Sequence, residues 1–195
     1  MVKPASKPKS ATAGRNNQLR IIGGDYRRRI LSFPDGEGLR PTPDRVRETL
    51  FNWLGQEIPG WTCLDLFAGS GALGFEAASR GAGRVVMVEQ ARSALAALSA
   101  NRTLLGASAV EVVAADALSW LSRCQDRFDL VFLDPPFASD YLLRVLGQLA
   151  PLLADEAYVY VETGHWPDEL AGWEVLREGK AGVVRYGLLR RRASS

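Results

Sequence analysis

The segment VFLDPPF, Val131 to Phe137, places an acid, two prolines and an aromatic ring directly after an apolar run. These residue types suit the activation of an amino nitrogen, and leave open whether it belongs to guanine, to adenine or to a protein amide. The exocyclic amine of a nucleobase, for one, is a poor nucleophile, because its lone pair is delocalised into the ring. To react it must be held in line, with that lone pair turned out of the ring plane. Two acceptors on its N–H bonds do this: the Asp134 carboxylate and the Pro135 backbone carbonyl. Proline fixes φ and lacks an N–H, so Pro135 and Pro136 stiffen the turn that carries the carbonyl. Phe137 offers a face on which a base can stack, a contact worth about 1–3 kcal/mol on single strands. Asp134, Pro135, Pro136 and Phe137 are therefore the candidate catalytic residues.

Three more acids close apolar runs: Asp65 in TCLDLF, Glu89 in RVVMVE and Asp116 in VEVVAAD. A glycine-rich stretch, GSGALG, follows Asp65 and fits the dinucleotide-binding pattern of glycines. Asp65 opposes a pyrophosphate in that position, since a carboxylate repels phosphate and attracts a cation. A site ringed by carboxylates takes hydroxyls and ammonium groups. S-adenosylmethionine has those groups: an α-ammonium, a sulfonium, a ribose diol and an adenine amine. Glu89 is placed to accept both ribose hydroxyls, and Asp116 to accept from the adenine amine. In FAGSG, the small residues Ala68, Gly69 and Gly71 beside Phe67 let the backbone approach the methionine part closely. Gln90 and Ala117, next to Glu89 and Asp116, complete the expected cofactor set. The single His165 and the scattered Cys63 and Cys124 cannot build a zinc site, so no metal is expected.

Elements must hold these residues in order. LRIIGGDYRRRILSF reads as two short strands around Gly23-Gly24-Asp25. LRPTPDRVRETLFNWL reads as a helix opened by Thr42-Pro43-Asp44, with Pro43 in its first turn. Strands and helices then alternate: TCLDLF, ALGFEAASRG, RVVMVE, ARSALAALSANRTLLG, VEVVAAD, a short helix, FDLVFLD, YLLRVLGQLAPLL and AYVYVE. WEVLREG and VVRYGLLRR form a closing antiparallel pair at the sheet edge. The pattern predicts an α/β fold with a doubly wound, mostly parallel sheet covered on both faces. In such sheets ligands bind beyond the carboxyl ends of the strands, where the acids fall.

The chain has 195 residues and a net charge of +2, unevenly spread. Residues 1–60 carry 11 Lys/Arg and 6 Asp/Glu, whereas residues 61–195 carry 13 and 16. Arg20, Arg27, Arg28, Arg29, Arg40, Arg45 and Arg47 precede the acidic body, with Tyr26 and Phe33 among them. Arginine pairs bidentately with phosphates and stacks on bases, so these residues suit an RNA clamp. No apolar run is long enough to span a membrane. Residues 1–18 are basic and polar without an apolar stretch, which suits a disordered tail and not a secretory signal. Two widely separated cysteines fit reduced thiols in a cytoplasmic protein. The chain is large enough to stand alone as a monomer.

DLFAGSGALG, the acids after the next two strands and DPPF resemble the amino-group branch of class I S-adenosylmethionine-dependent methyltransferases. RIIGGDYRRRIL, LRPTPDRVRETLFNWL, CLDLFAGSGALGFEAASRGA, DPPF and YVYVE together resemble the RsmD-type 16S ribosomal RNA guanine-N2 methyltransferases of bacteria. The likeness runs from about Leu19 to the end. It implies a seven-stranded Rossmann-like methyltransferase core over residues 61–195 and an RNA-contacting hairpin and helix over 19–60. It also implies S-adenosylmethionine as methyl donor and a guanine of 16S ribosomal RNA, in a small-subunit assembly particle, as target. One departure is the run Gly24-Asp25-Tyr26-Arg27-Arg28-Arg29, where the family often has a glycine between the basic residues. The residues alone leave open an amino-methyltransferase of adenine or of a protein amide, a non-catalytic RNA-binding subunit, and, from GSGALG only, an oxidoreductase.

Overall fold

The computed structural model describes residues 16–36, 40–135, 139–167 and 169–192. The tail expected before Leu19 lies mostly outside them, and so do Pro136 and Phe137 of the DPPF turn.

The N-terminal strands β1 (Asn16–Arg20) and β2 (Ile30–Pro34) pair antiparallel, with Leu19 opposite Leu31. The expected hairpin is present, but a nine-residue connection joins its strands in place of a tight turn. That connection folds back on itself, Ile21 N–H donating to the Arg29 carbonyl and Arg28 N–H to the Ile21 carbonyl. Helix α1 (Asp44–Trp53) follows, with Pro43 as its N-cap, one position before the place the sequence suggests. Its Val46, Leu50 and Phe51 lie in the core, as their helical spacing requires.

The body alternates strand and helix: β3 (Thr62–Asp65), α2 (Ala72–Ser79), β4 (Arg84–Glu89), α3 (Arg92–Leu105), β5 (Val110–Ala114), α4 (Ala117–Leu121), β6 (Phe128–Leu133), α5 (Ser139–Leu149) and β7 (Leu153–Thr163). Strands β8 (Trp173–Ala181) and β9 (Val184–Arg191) close the chain. The seven strands lie in the order β5-β4-β3-β6-β7-β9-β8. The first five pair in parallel, while β9 inserts antiparallel between β7 and β8. Strand order reverses between β3 and β6, so the ligand crevice belongs above their carboxyl ends.

Two cores sandwich this sheet. On one face Cys63, Val85, Leu130, Phe132 and Tyr160 pack with α2, α3 and the N-terminal Leu19, Leu31, Phe33, Leu50 and Phe51. On the other, Leu64, Val86, Val131, Val159 and Leu189 pack with α4 and α5. The extension therefore shares the core of the first face. Phe33 is buried there and serves packing; it does not lie free for a base. Burial, with Asp129 and Asp65 nearby, pushes the Cys63 thiol far up, so it is inert. Among the described residues no helix is long and apolar enough to cross a membrane, and no cluster of His, Cys, Asp and Glu could hold a metal ion.

Candidate active site

Side chains alternate along a strand, and that alternation decides which strand-end residues meet. Cys63, Phe132 and Tyr160 all face the core shared with the extension. Two residues further along each strand stand Asp65, Asp134 and Glu162. Strands β3, β6 and β7 are parallel neighbours, with Asp65 opposite Phe132 and Leu133 opposite Val161. Three carboxyl groups thus converge on one face at the carboxyl ends of adjacent strands.

Asp65 is only 3% exposed, and its Oδ2 accepts the Gly74 N–H at 3.0 Å. Burial, helped by Glu89 and Glu162 and opposed by the Gly74 hydrogen bond, raises its pKa to about 7. Among the described residues no Lys, Arg or His side chain forms an ion pair with it. A buried carboxyl without a cation is a site for one. The α-ammonium of S-adenosylmethionine fits this requirement, and a pyrophosphate does not.

The glycine-rich turn is braced from both sides. Gly71 caps α2 in the left-handed region, φ 80°, and a Cβ there would lie 2.6 Å from Phe75. Only glycine meets both demands. Glu89 Oε2 accepts the Gly69 N–H at 2.9 Å, and its Oε1 accepts from Gln90 and Ala91 N–H at 2.8 Å. Its carboxylate is thus structural as well as available, since Oε2, which accepts only from Gly69, keeps a second lone pair for a ribose hydroxyl. Asp116 caps α4 by accepting the Ser119 N–H at 2.9 Å through Oδ1. That bond lowers its pKa, so Asp116 is a firm acceptor for an amine. Ala68 and Ala117 are buried and Gln90 exposed. Phe67 meets Tyr141 edge to face at 5.7 Å, which fixes the ring between the glycine turn and α5.

Asp134 is open to solvent, yet desolvation and the like charges of Glu162 and Asp65 hold its proton well above the usual carboxyl range. With solvent in reach, the repulsion by the two neighbouring acids is the cause that the geometry supports most directly. Glu162 is 6% exposed and accepts two hydroxyls on Oε1, from Thr42 at 2.5 Å and from Tyr160 at 3.0 Å. Burial raises its pKa and those two bonds oppose the rise. Glu162, Tyr160 and Thr42 are absent from the residues singled out above. The rule that picked Asp65 and Asp134, an acid at a strand end, applies equally to the end of AYVYVE.

The extension is locked to the core by another acid that sequence reading missed. Glu76 on α2 is fully buried and accepts from Arg47 Nη1 at 3.0 Å, Arg80 Nε at 2.9 Å, Ile22 N–H at 3.0 Å and Gly23 N–H at 2.9 Å. Gly24 presses on the end of α2, where a Cβ would sit 1.7 Å from the Ser79 carbonyl. Arg47 is correspondingly no RNA ligand. It is 1% exposed, and its donors go to Glu76, Asp44 and the carbonyls of Thr42 and Arg20. Its helical position among Val46, Leu50 and Phe51 turns it inward. Arg20, Arg27, Arg28, Arg29, Arg40 and Arg45 are exposed. Arg20 sits 3.5 Å from Asp44, and Arg29 donates to the Leu104 carbonyl. Arg28 has φ 68°, the left-handed conformation that favours glycine. Glycine at this position would be unstrained.

The family described as conserved hypothetical protein 95 matches residues 19–190. The chain is 45% identical to ribosomal RNA small subunit methyltransferase D of Escherichia coli over 96% of both chains. It belongs to the RsmD family of methyltransferases. The counterpart in Haemophilus influenzae is 40% identical over 92% of this chain and 97% of its own. A solved Escherichia coli structure assigned as a methyltransferase superposes with a TM-score of 0.83 at 45% identity, covering 91% of this chain and 100% of that one. The family carries the same mostly parallel seven-stranded sheet and implies a methyl donor of the S-adenosylmethionine type.

Proposed function

We propose that the protein transfers a methyl group from S-adenosylmethionine to the exocyclic N2 of a guanine in small-subunit ribosomal RNA. The observation that carries the chemistry is the pairing of an uncompensated buried carboxyl, Asp65, with the Asp134 turn on the next strand. The first asks for an ammonium, the second for an amine. The RNA class is supported by the relatives, which are named for small-subunit ribosomal RNA.

In this reading Asp65 holds the α-ammonium and the Gly69–Gly71 turn lies against the methionine part, with Phe67 and Ala68 alongside. Glu89 and Gln90 hold the ribose, and Asp116 and Ala117 the adenine edge. Bound there, S-adenosylmethionine supplies an electrophilic methyl group. Asp134 and the Pro135 carbonyl accept the N–H bonds of the target amine and turn its lone pair toward that methyl. As positive charge builds on nitrogen, a full carboxylate stabilises it more than an amide would. Pro136 stiffens the turn and Phe137 stacks on the base. Positioning and fixed acceptors do the catalytic work. A guanine inside a duplex has to be flipped out to reach the turn.

Residues 19–60 act as the RNA-contacting extension, through Arg20, Arg27, Arg28, Arg29, Arg40 and Arg45. Residues 61–195 form the catalytic core. The protein acts as a cytoplasmic monomer on RNA in a small-subunit assembly particle. The test is transfer of a labelled methyl group to bare 16S RNA, 30S particles and DNA, followed by nucleoside analysis. N2-methylguanosine in the RNA is expected. Label in DNA, or on adenine, would refute the proposal.

A further inference from the structure

Glu162 lies on the same sheet face as Asp134, one strand over and one residue beyond the paired Leu133 and Val161. Both hydroxyl donors, Thr42 Oγ1 and Tyr160 Oη, fall on a single oxygen, Oε1. Among the described residues nothing donates to Oε2. A buried carboxylate anchored by one oxygen and open at the other is a positioned acceptor. One of the two anchors comes from the N-terminal extension and the other from β7 itself, so the extension and the sheet jointly fix its rotamer.

We infer that Glu162 reads the target base: its Oε2 accepts the ring N1–H of guanine, beside the amine that Asp134 holds. The inference rests on the guanine-N2 function proposed above and deepens it. Guanine alone among the four bases carries a ring N–H next to an exocyclic amine. Adenine and cytosine present a ring nitrogen acceptor beside theirs, which a carboxylate repels. A flipped base is read along this edge. Sites built to hydrogen-bond a group reject analogues lacking it by large factors, because a buried acceptor is left unpaired. The paired acids thereby divide the work. Asp134 orients the reacting nitrogen, and Glu162 checks the neighbouring one.

Glu162→Gln provides the test. Its amide oxygen can keep the Thr42 and Tyr160 bonds, which turns the NH2 group toward the base. The variant then presents a donor where guanine also presents a donor. Short RNAs are compared that carry guanine or 2,6-diaminopurine at the methylated position. Diaminopurine keeps the 2-amine and has an acceptor in place of N1–H. Wild type should methylate guanine RNA and discriminate against diaminopurine RNA. Glu162→Gln should lose guanine transfer by roughly 10²-fold or more, and its preference should shift toward diaminopurine. Cofactor affinity and melting temperature are measured alongside. Unchanged guanine transfer in the folded variant would overturn the inference. So would equal losses on both RNAs, which is what a structural role predicts. Wild-type label found on a base other than guanine would instead sink the guanine-N2 function, and this inference with it.

Discussion

The Arg47 guanidinium donates to the Glu76 carboxylate at 3.0 Å, with both side chains withdrawn from solvent. The pair joins the N-terminal extension to the methyltransferase core, because Glu76 also holds Arg80 and the backbone of Ile22 and Gly23. Two arginines thus depend on one buried charge. Removing it leaves the buried Arg80 without its carboxylate and Arg47 with only the half-exposed Asp44, which costs roughly 3–5 kcal/mol. Glu76→Gln is therefore expected to lower the denaturation midpoint strongly, although it touches neither cofactor nor base. Chemical denaturation checks this. A variant as stable as wild type would show that the extension is held by its apolar contacts alone.

Asp65 makes stability and cofactor binding depend on pH. Its folded pKa of about 7 lies above the ordinary aspartate value of 3.8. The folded cofactor-free protein therefore binds more protons than the unfolded chain between those values. Its contribution to stability is fully present below pH ~4 and is lost as pH rises to ~7, a change of roughly 3–5 kcal/mol. An ammonium beside Asp65 demands the ionised form. Cofactor affinity should then rise about tenfold per pH unit below ~7 and level off above it. Asp65→Asn keeps an acceptor for Gly74 and should flatten both dependences while weakening binding. Calorimetry and denaturation across pH 5–8, wild type against variant, isolate this residue from the other carboxyls.

The exposed arginines are expected to set RNA affinity without affecting the cofactor. Neutralising Arg27, Arg28 and Arg29 together should weaken binding and flatten its salt dependence by about two to three units of slope, because fewer counterions are released. Arg29 contributes least, since it already donates to the Leu104 carbonyl. Arg28→Gly separates the charge from the backbone. It relieves a left-handed arginine, so stability should hold or rise by up to about 1 kcal/mol while RNA affinity falls. An unchanged salt slope in the triple variant would place the RNA elsewhere.

Strand and helix placement was readable because apolar runs and their periods are local properties. Thr62–Asp65, Arg84–Glu89, Val110–Ala114 and Phe128–Leu133 all fall inside the runs expected to be strands. Side-chain direction was harder to read. Arg47 looks like its exposed neighbour Arg45 in sequence, but it lies on the buried stripe of α1. Glu76 sits in an apolar helix with only Arg80, four residues on, visible as a partner, since its other partners are 29 residues and more than 50 residues away in sequence. Glu89 shows a different gap. The expected ribose ligand also braces Gly69, Gln90 and Ala91, so Glu89→Ala would loosen the glycine turn as well as remove an acceptor. Glu162 was within reach of the strand-end rule, but its role depends on Thr42, 120 residues earlier in the chain.

The sharpest test of the site concerns Asp134. The residue follows β6 and is open to solvent, away from the packed core, so Asp134→Ala should leave the fold nearly intact. Cofactor binding should also persist, because Asp65, Glu89 and Asp116 hold the cofactor in the proposed function. Removing the carboxylate also relieves its repulsion of Glu162 and Asp65, which favours folding if anything. Methyl transfer should nonetheless fall by orders of magnitude, since the Pro135 carbonyl alone cannot orient an amine. Asp134→Asn keeps one acceptor oxygen and loses the charge, so its rate should lie between alanine and wild type. Pro135→Ala keeps the carbonyl and loses only stiffness, so it should be milder still. The expected order of single-turnover rates at saturating cofactor is wild type, Pro135→Ala, Asp134→Asn, Asp134→Ala. Wild-type transfer by Asp134→Ala would reduce the turn to a loop and remove the acceptor mechanism. Equal rates for the asparagine and alanine variants would show that the charge, and not the geometry of one oxygen, activates the amine.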